Sequence, residues 1–359
     1  MPIWQLPKPS VSLGDIDMRN FWGSALVTLI CMIGAFIYGG PSAAFAVLIL
    51  GVLEVSVSLD NAVANAKVLK DMSRFWQLAF LTVGIFIAVF VVRLLLPVEI
   101  VALAADISFM DTAHMLINDP VQYSHHLHEA HLSISAFGGM FLLMVFLDFV
   151  FNDEKEHFWL GKVEEKLASF GGVDGVKAFV ALAVLMGIAS VLKAPKSAEF
   201  LYAGSLGLVI FFAMSLLKNL FEEKETGDAV VDTVKKGGLI SFLYLEVLDA
   251  SFSLDGVIGA FAISKDPVII GMGLTIGAMF VRSLTVYLVK KGTLDELVYL
   301  EAGAMCAIGV LALIMISSGF IDIPELFTAL VGAVLIGLSV WSSLRHKKAE
   351  AALPAQAEA

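Results

Sequence analysis

The sequence has few cysteines and few charged residues for its length. Only 2 of its 359 residues are cysteine and 16% are charged, whereas 58% are hydrophobic and the mean hydropathy is +0.87. Because a soluble domain is close to half apolar, this composition indicates a membrane protein. Cys31 and Cys306 lie inside apolar runs without a Cys-x-x-Cys pattern, so we interpret them as packing residues.

The motifs of nucleotide-driven or nucleophilic enzymes are also missing. The sequence contains no Gly-x-Gly-x-x-Gly fingerprint and no Walker loop, and it offers no serine or cysteine triad. We therefore expect no enzymatic activity, and ATP-driven transport would need a separate subunit. The N-terminus is polar and bears prolines, so we predict no cleavable signal peptide and expect the first apolar run to be retained.

Long apolar runs predict ten membrane helices. A membrane-spanning helix needs about 20 mostly apolar residues. The expected fold is an all-α polytopic membrane protein. The predicted helices cover residues 21–38, 42–66, 76–96, 135–151, 177–192, 199–217, 238–262, 268–289, 297–317 and 324–342.

Basic residues are absent from the longest predicted outside segment, residues 97–134. With a cytoplasmic N-terminus and alternating helices, 18 of the 23 Lys and Arg residues fall on the cytoplasmic side and 3 fall outside. The remaining two, Arg93 and Arg282, lie inside helices. This bias predicts ten membrane crossings with both termini in the cytoplasm.

The topology divides the chain into two membrane repeats with cytoplasmic ends. Each repeat is expected to contain five helices, and the extramembrane segments lie within or beside them. The predicted parts are a cytoplasmic N-terminal segment (1–20), a first repeat (21–192) with an outside His-rich loop (97–134) and a cytoplasmic linker (152–176), a second repeat (193–345) with a cytoplasmic linker (218–237), and a disordered cytoplasmic tail (346–359).

One acidic pattern occurs twice. Residues 54–71, EVSVSLDNAVANAKVLKD, align on Ser-Leu-Asp with residues 249–266, DASFSLDGVIGAFAISKD. Chance similarity between hydrophobic helices would reproduce leucines and valines, but not acids and serines at matching positions. The aligned pairs include Glu54 with Asp249, Ser58 with Ser253, Asp60 with Asp255, and Asn61 with Gly256.

The two copies are expected to run in opposite directions. They lie five predicted helices apart, and each is followed by an arginine in the next helix, Arg93 and Arg282 respectively. An odd offset inverts the second copy relative to the membrane. This predicts a five-plus-five inverted repeat, and such repeats place their binding site near the midplane of the bilayer.

Five carboxylates share the two motif helices, where a buried charge costs roughly 2.5–3.5 kcal/mol on insertion scales. Together with hydroxyl and amide oxygens they form an all-oxygen set, which suits the hard divalent cations Mn²⁺, Mg²⁺ and Ca²⁺. The candidate ligands are Glu54, Asp60, Asn61, Glu246, Asp249, Ser253 and Asp255, with Ser58 as a weaker candidate.

A regular helix cannot bring all of the first motif together. Glu54, Ser58 and Asn61 share one face, whereas Asp60 lies about 120° away. We therefore expect the helix to unwind near Ser-Leu-Asp-Asn and to free backbone carbonyls for a cation. Asn61, and Gly256 in the second copy, are residue types that tolerate such a break.

A structural ion-pair network is the alternative to a cation site. In that case the acids only pair with Arg93 and Arg282. Two arginines cannot neutralise five carboxylates, so we expect at least part of the cluster to take a cation or protons. The arginines would then balance the charge when the cation is absent, or gate the site.

These motifs resemble the TerC family of integral membrane proteins. The pattern E-x-S-x-S-L-D-N, its partner D-x-S-x-S-L-D and the arginine after each carry the resemblance. Residues 126–149, HLHEAHLSISAFGGMFLLMVFLDF, resemble the DUF475 branch of that family. The resemblance implies a transporter fold related to the LysE group of exporters, and a link to Mn²⁺ efflux, metal delivery to exported proteins or tellurite resistance.

The resemblance also implies which positions of the two motifs bind metal. One departure is Gly256, where many members have serine, and it removes a possible hydroxyl ligand. The implied positions are Glu54, Asp60 and Asn61 in the first copy, and Asp249, Ser253 and Asp255 in the second.

Five of the seven histidines fall within residues 114–131, interspersed with acids. His125, His128 and His131 are spaced by three, so a helix could present them for a transition metal. Packing as a lid and pH sensing through imidazole titration are the alternatives. A zincin site is excluded because it needs H-E-x-x-H, and this sequence has H-E-A-H.

Two further acids lie in or near predicted helices. Asp148 in the fourth helix either lines the pathway or bonds locally, and Glu301 lies near the start of the ninth helix, where it could sit at the interface.

The sequence thus supports a secondary transporter that exports a divalent cation, with Mn²⁺ preferred. The drive would come from protons as the coupling ion or from the membrane potential. A membrane scaffold or metal-delivery partner without turnover is the alternative of a different class, and an intramembrane enzyme lacks a nucleophile. The expected partners are the lipid bilayer, the cation, and a second copy or a stress-complex protein; no nucleic acid is expected.

Overall fold

The computed structural model describes residues 21–357, apart from 85, 154, 156, 174, 223–229, 265, 292–296, 322 and 324, and at some helical positions it describes the backbone alone. Helices and short turns make up this described part, in which no strand occurs. The predicted cytoplasmic segment 1–20 lies outside it.

The described helices lie in the following order along the chain. The α-helices are α1 Trp22–Val57, α2 Leu59–Asp71, α3 Arg74–Ala79, α4 Leu96–Ala105, α5 Phe109–Asn118, α6 Pro120–Glu129, α7 His131–Val150, α8 Lys162–Ala168, α9 Val176–Val191, α10 Lys196–Glu222, α11 Val230–Ile263, α12 Pro267–Lys291, α13 Leu300–Ser317 and α14 Glu325–Ala357. Two π-helical stretches, π1 Phe80–Gly84 and π2 Ile87–Leu95, lie between α3 and α4.

Several helices are apolar enough to indicate a membrane protein. Within the described residues, five are long and apolar enough to cross a membrane, and a bent pair between Arg74 and Ala102 would make a sixth. All ten predicted segments are helical, but their number of crossings stays a prediction. The five are Trp22–Ser56, His131–Val150, Lys196–Leu216, Pro267–Val289 and Leu300–Ser317.

The first apolar stretch turns back on itself at its centre. Gly40 interrupts α1 with a φ of 71°, a conformation that glycine adopts without a steric penalty. Ser24 donates to the main-chain oxygen of Met279, while Glu54 packs against Gly277. A straight helix would place Ser24 and Glu54 about 45 Å apart. Both halves of α1 therefore lie side by side along α12, and the predicted break between the first two apolar runs is present.

The third predicted helix is longer than expected and bent. The stretches Arg74–Gly84 and Ile87–Ala102 meet at an angle of 47°. Residues 80–84 and 87–95 adopt π-helical geometry. This geometry is rare in proteins, and where it occurs it often lies at a functional site. Arg93 belongs to the second of these stretches.

The predicted outside loop 97–134 is helical rather than irregular. It forms α5 and α6 between the end of α4 and the start of α7, and each helix has an N-cap. Ser108 accepts a hydrogen bond from the backbone N–H of Asp111, and Asp119 accepts one from Gln122. These caps satisfy amide groups that a short helix would otherwise leave unpaired.

The predicted linkers and tail also contain helix. The linker 152–176 contains α8, and α10 and α11 continue into 218–237 from either side. Most of the segment 346–359, expected to be disordered, belongs to α14. Its alanine-rich composition explains the difference, because alanine has the highest helix propensity.

Candidate functional site

The first motif lies at a helix break. Helix α1 ends at Val57 and α2 begins at Leu59, and Ser58 between them has φ and ψ of −98° and 16°. A break at the predicted place is therefore present, but it is one residue long. The main-chain oxygens of Glu54 and Ser58 still accept backbone hydrogen bonds from Ser58 and Ala62, so the expected release of carbonyls for a cation is not seen at these two residues.

The second motif has no such break, because α11 runs without interruption from Val230 to Ile263. Gly256 has a different role from the expected one. A Cβ atom at Gly256 would lie 3.0 Å from Oε2 of Glu54, so the glycine lets the carboxylate of the first motif approach the second motif closely.

The carboxylates of the two motifs meet on one arginine. Nη2 of Arg93 lies 2.7 Å from Oε1 of Glu54, and Nη1 lies 3.4 Å from Oδ2 of Asp249. Nη1 also donates to the main-chain oxygen of Ala88 at 2.9 Å. All three charged side chains are buried. Glu54 and Asp249, which the repeat aligns, are therefore held by a shared cation.

The two motifs also contact each other directly, and they run in opposite directions. Nδ2 of Asn61 donates to Oδ1 of Asp249 at 2.7 Å, and Glu54 lies beside Gly256. A later residue of one motif thus faces an earlier residue of the other. The antiparallel arrangement is the one that an inverted repeat requires.

Asp60 is buried but does not join this contact. Its Oδ1 accepts the backbone N–H of Asn61 at 2.9 Å, close to the first turn of α2. A carboxylate is stabilised at that end by the helix dipole. Asp60 and Glu54 therefore stand on opposite sides of the break at Ser58, whose hydroxyl donates to Glu54 at 3.2 Å.

Glu246 faces a cavity of about 40 Å³ between α2, the π-helical stretches, α11 and α12. Both of its carboxylate oxygens are buried without a hydrogen-bond partner among the described residues. Such a group is costly to keep as a bare anion. The polar residues that line the cavity are Asn65, Arg93, Glu246, Asp249, Arg282 and Thr285.

Arg282 lines the same cavity and is half-buried, but within the described part of the chain no ion pair joins it to a carboxylate. The two arginines that the sequence treats as equivalent thus differ. Arg93 is bound to two acids, whereas Arg282 lines the cavity without an ion pair to any carboxylate that the structure describes.

Two glycines allow the helices after the motifs to reach the acids. Gly277 of α12 packs against the side chain of Glu54. A Cβ atom at Gly84 in π1 would lie 2.7 Å from Oε1 of Glu246. Each helix that follows one motif therefore packs against an acid of the other motif.

The remaining predicted residues of the site have different outcomes. Ser253 is buried, and its hydroxyl has no partner in the described structure. The side chain of Asp255 lies outside the described residues. Asp148 is not a buried pathway acid: its side chain is 59% exposed and pairs with Lys177 at 2.6 Å. Glu301 pairs with Lys67.

The acids do not assemble into a ready cation site. Among the His, Cys, Asp and Glu side chains that the structure describes, only those of His125, His126 and Glu129 bring three ligand atoms within 4.8 Å of one another. Glu54 and Asp249 are taken up by Arg93 instead. The ion-pair alternative thus accounts for these two acids, but not for Glu246.

The histidines do not share the predicted face. Helix α6 ends at Glu129, so His131 belongs to α7, and three-residue spacing drifts around a helix of 3.6 residues per turn. Nδ1 of His128 lies 2.7 Å from the main-chain oxygen of Ser124. The cluster contains His126 and Glu129 in place of His128 and His131.

Asn65 is a site residue that sequence reasoning missed. It is buried, lines the cavity, and its Oδ1 has no partner among the described residues. Its position four residues after Asn61 puts both amides on one face of α2, and this spacing could have revealed it.

Comparison with known proteins gives one match. The model of a family described as "Protein of unknown function (DUF475)" matches residues 59–350. No curated protein and no solved structure matches the chain.

Proposed function

We propose that this chain, which belongs to the DUF475 family, is a secondary transporter that exports a divalent metal cation, preferably Mn²⁺. The same proposal includes kinship with the TerC and LysE-like transporters and a ten-helix inverted repeat. It also places the protein in a bacterial inner membrane with both termini in the cytoplasm.

One observation carries the proposal: the aligned acids Glu54 and Asp249 share Arg93 in a buried site. A permanent structural clamp would need no further acid. Glu246 nevertheless faces the adjoining cavity with both oxygens unpaired. Even when Arg282, which lines the same cavity, is counted with Arg93, two arginines face four buried acids on the motif helices. This excess of carboxylate favours a cationic substrate.

Arg93 would act as an internal counter-ion. When the metal ion enters, the carboxylates of Glu54 and Asp249 exchange the guanidinium for the ion, and Asn61 and Ser58 can add oxygen ligands. When the ion leaves, Arg93 returns, so the acids are not left buried and unpaired. Because Arg93 lies in π2 and Asp249 in α11, the exchange links binding of the metal ion to the packing of these two helices. A change in that packing would favour one orientation of the two membrane repeats over the other.

Metal uptake into proteoliposomes tests the proposal. Purified protein would be compared for Mn²⁺, Ca²⁺ and Mg²⁺, with Glu246→Gln and Asp249→Asn beside the wild type. Asp148→Asn is the matched control, because it also removes one carboxylate, but from an exposed position. We expect metal-selective flux that falls at least about tenfold in both site variants and persists in the control.

Two results would contradict the proposal. Undiminished flux in both site variants would reject the acidic site as the pathway. Wild-type protein that binds Mn²⁺ but carries no flux would favour a scaffold that delivers metal to a partner.

A further inference from the structure

Helix α6 carries a second cluster of potential metal ligands. It contains imidazole nitrogens, whereas the two acidic motifs offer only oxygen atoms. Nδ1 of His126 lies 3.0 Å from Oε2 of Glu129, and Nδ1 of His125 lies 3.6 Å from the same oxygen. Ligands about 2.1 Å from a tetrahedral metal lie about 3.4 Å apart. The two distances to Glu129 are therefore close to those of a tetrahedral site, and all three ligand atoms lie within 4.8 Å of one another.

We propose that His125, His126 and Glu129 form a binding site for a divalent transition-metal ion of the Zn²⁺ type. Two imidazoles and one carboxylate fill three tetrahedral positions and leave the fourth for water. Imidazole favours Zn²⁺ over Mn²⁺, which binds nitrogen ligands more weakly. This site does not depend on the proposed transport function.

The helix that carries these groups is firmly held. The opposite face of α6 buries Tyr123 and Leu127, each 1% exposed, in a cluster with Val257 and Ala260 of α11. Because the helix is docked and capped, its ligands need little ordering when the metal binds.

The ligands are also accessible. The side chains of His125 and Glu129 are 72% and 59% exposed, and that of His126 is 26% exposed. The sequence has no Lys or Arg between Arg93 and Lys155, so no basic residue of this segment competes for Glu129. The sequence and the exposure both favour capture of a cation from solvent.

The same atoms could instead form an ordinary ion pair at the end of the helix. The test must therefore distinguish a metal site from an ion pair. Full-length protein in nanodiscs would be titrated with Zn²⁺ in competition with an indicator. The variants are His126→Asn and Glu129→Gln, and the matched controls are His114→Asn and His128→Asn. Modification of each histidine by diethyl pyrocarbonate, mapped by mass spectrometry, gives a readout specific to the site.

We expect Zn²⁺ to protect His125 and His126 from modification. Its affinity should fall at least about tenfold in both ligand variants, since even loss of an outer-shell partner costs that much. Both controls should bind as the wild type does. The proposal is overturned if Zn²⁺ does not bind, if it binds both ligand variants unchanged, or if it protects His114 equally. Zn²⁺ held by the intramembrane acids would give the second of these results.

Discussion

Asn61 donates a hydrogen bond of 2.7 Å to Asp249, 188 residues away in the sequence. The contact joins α2 to the continuous helix α11 at a buried point, next to the arginine that Asp249 shares with Glu54. The two copies of the motif are thus joined by a hydrogen bond between an amide and a carboxylate. Four predictions follow from this arrangement and from the predicted topology.

Replacing Asn61 by alanine should lower the stability of the protein. Asp249 would lose its amide donor, and a buried acceptor without a partner costs about 1–3 kcal/mol. Thermal unfolding in detergent measures the change, and a double-mutant cycle with Asp249→Asn should show a coupling of about 0.5–3 kcal/mol. Asn118→Ala, which removes an exposed local bond to His114, is the control, and a coupling near zero would refute the contact.

Arg93→Gln should destabilise the protein strongly. It leaves two buried carboxylates without their shared cation, and breaking a buried pair in this way costs about 3–5 kcal/mol. Adding Glu54→Gln and Asp249→Asn should recover much of the loss, because no charge then remains unpaired at this point. A triple variant that is no more stable than Arg93→Gln would argue against the shared ion pair.

Gly277→Ala should destabilise the protein and impair any flux, because the added methyl group would meet the side chain of Glu54. Overpacking of this kind costs about 1–3 kcal/mol. Gly187→Ala is the control: Gly187 lies inside α9 with nothing within 4 Å of an added Cβ. There alanine should raise the stability by about 0.5–1 kcal/mol. Equal changes in stability for Gly277→Ala and Gly187→Ala would contradict the close packing of Gly277 against Glu54.

The topology can be tested by cysteine labelling. Val121 in α6 and Val163 in α8 are 66% and 65% exposed, so cysteines at these positions should react equally in detergent. In intact spheroplasts a membrane-impermeant maleimide should label Val121→Cys at once. Val163→Cys should need permeabilised cells, because the distribution of Lys and Arg places α8 in the cytoplasm. Labelling of both cysteines from the same side would refute the prediction that α6 and α8 lie on opposite sides of the membrane.

Local signals in the sequence predicted several features correctly. Apolar runs of the right length gave the helical segments, since burial in lipid requires continuous helix. The alignment of Glu54 with Asp249 anticipated that the two motifs would meet, and the position of Asp60 off the helical face anticipated the break at Ser58. These features depend on periodicity and on residue type alone.

Pairing between distant residues was harder to predict. Periodicity suggested His125, His128 and His131 as a set, but the end of α6 at Glu129 divides them. Asp148 looked buried because its neighbours are apolar, yet it faces outward to Lys177. The drift of three-residue spacing around the helix could have been read from the sequence, but the end of α6 could not. The outward position of Asp148 depends on where a neighbouring helix lies.

The sequence by itself determined that this chain is helical, apolar enough for a membrane, and marked twice by the same acidic pattern. Only the tertiary structure decided that Arg93 takes two of the acids, that Glu246 is left facing a cavity, and that Gly256 and Gly277 serve close packing. The physical reason is that a hydrophobic pattern fixes which face of a helix is buried. The partner that a buried charge finds depends on how the helices pack against each other.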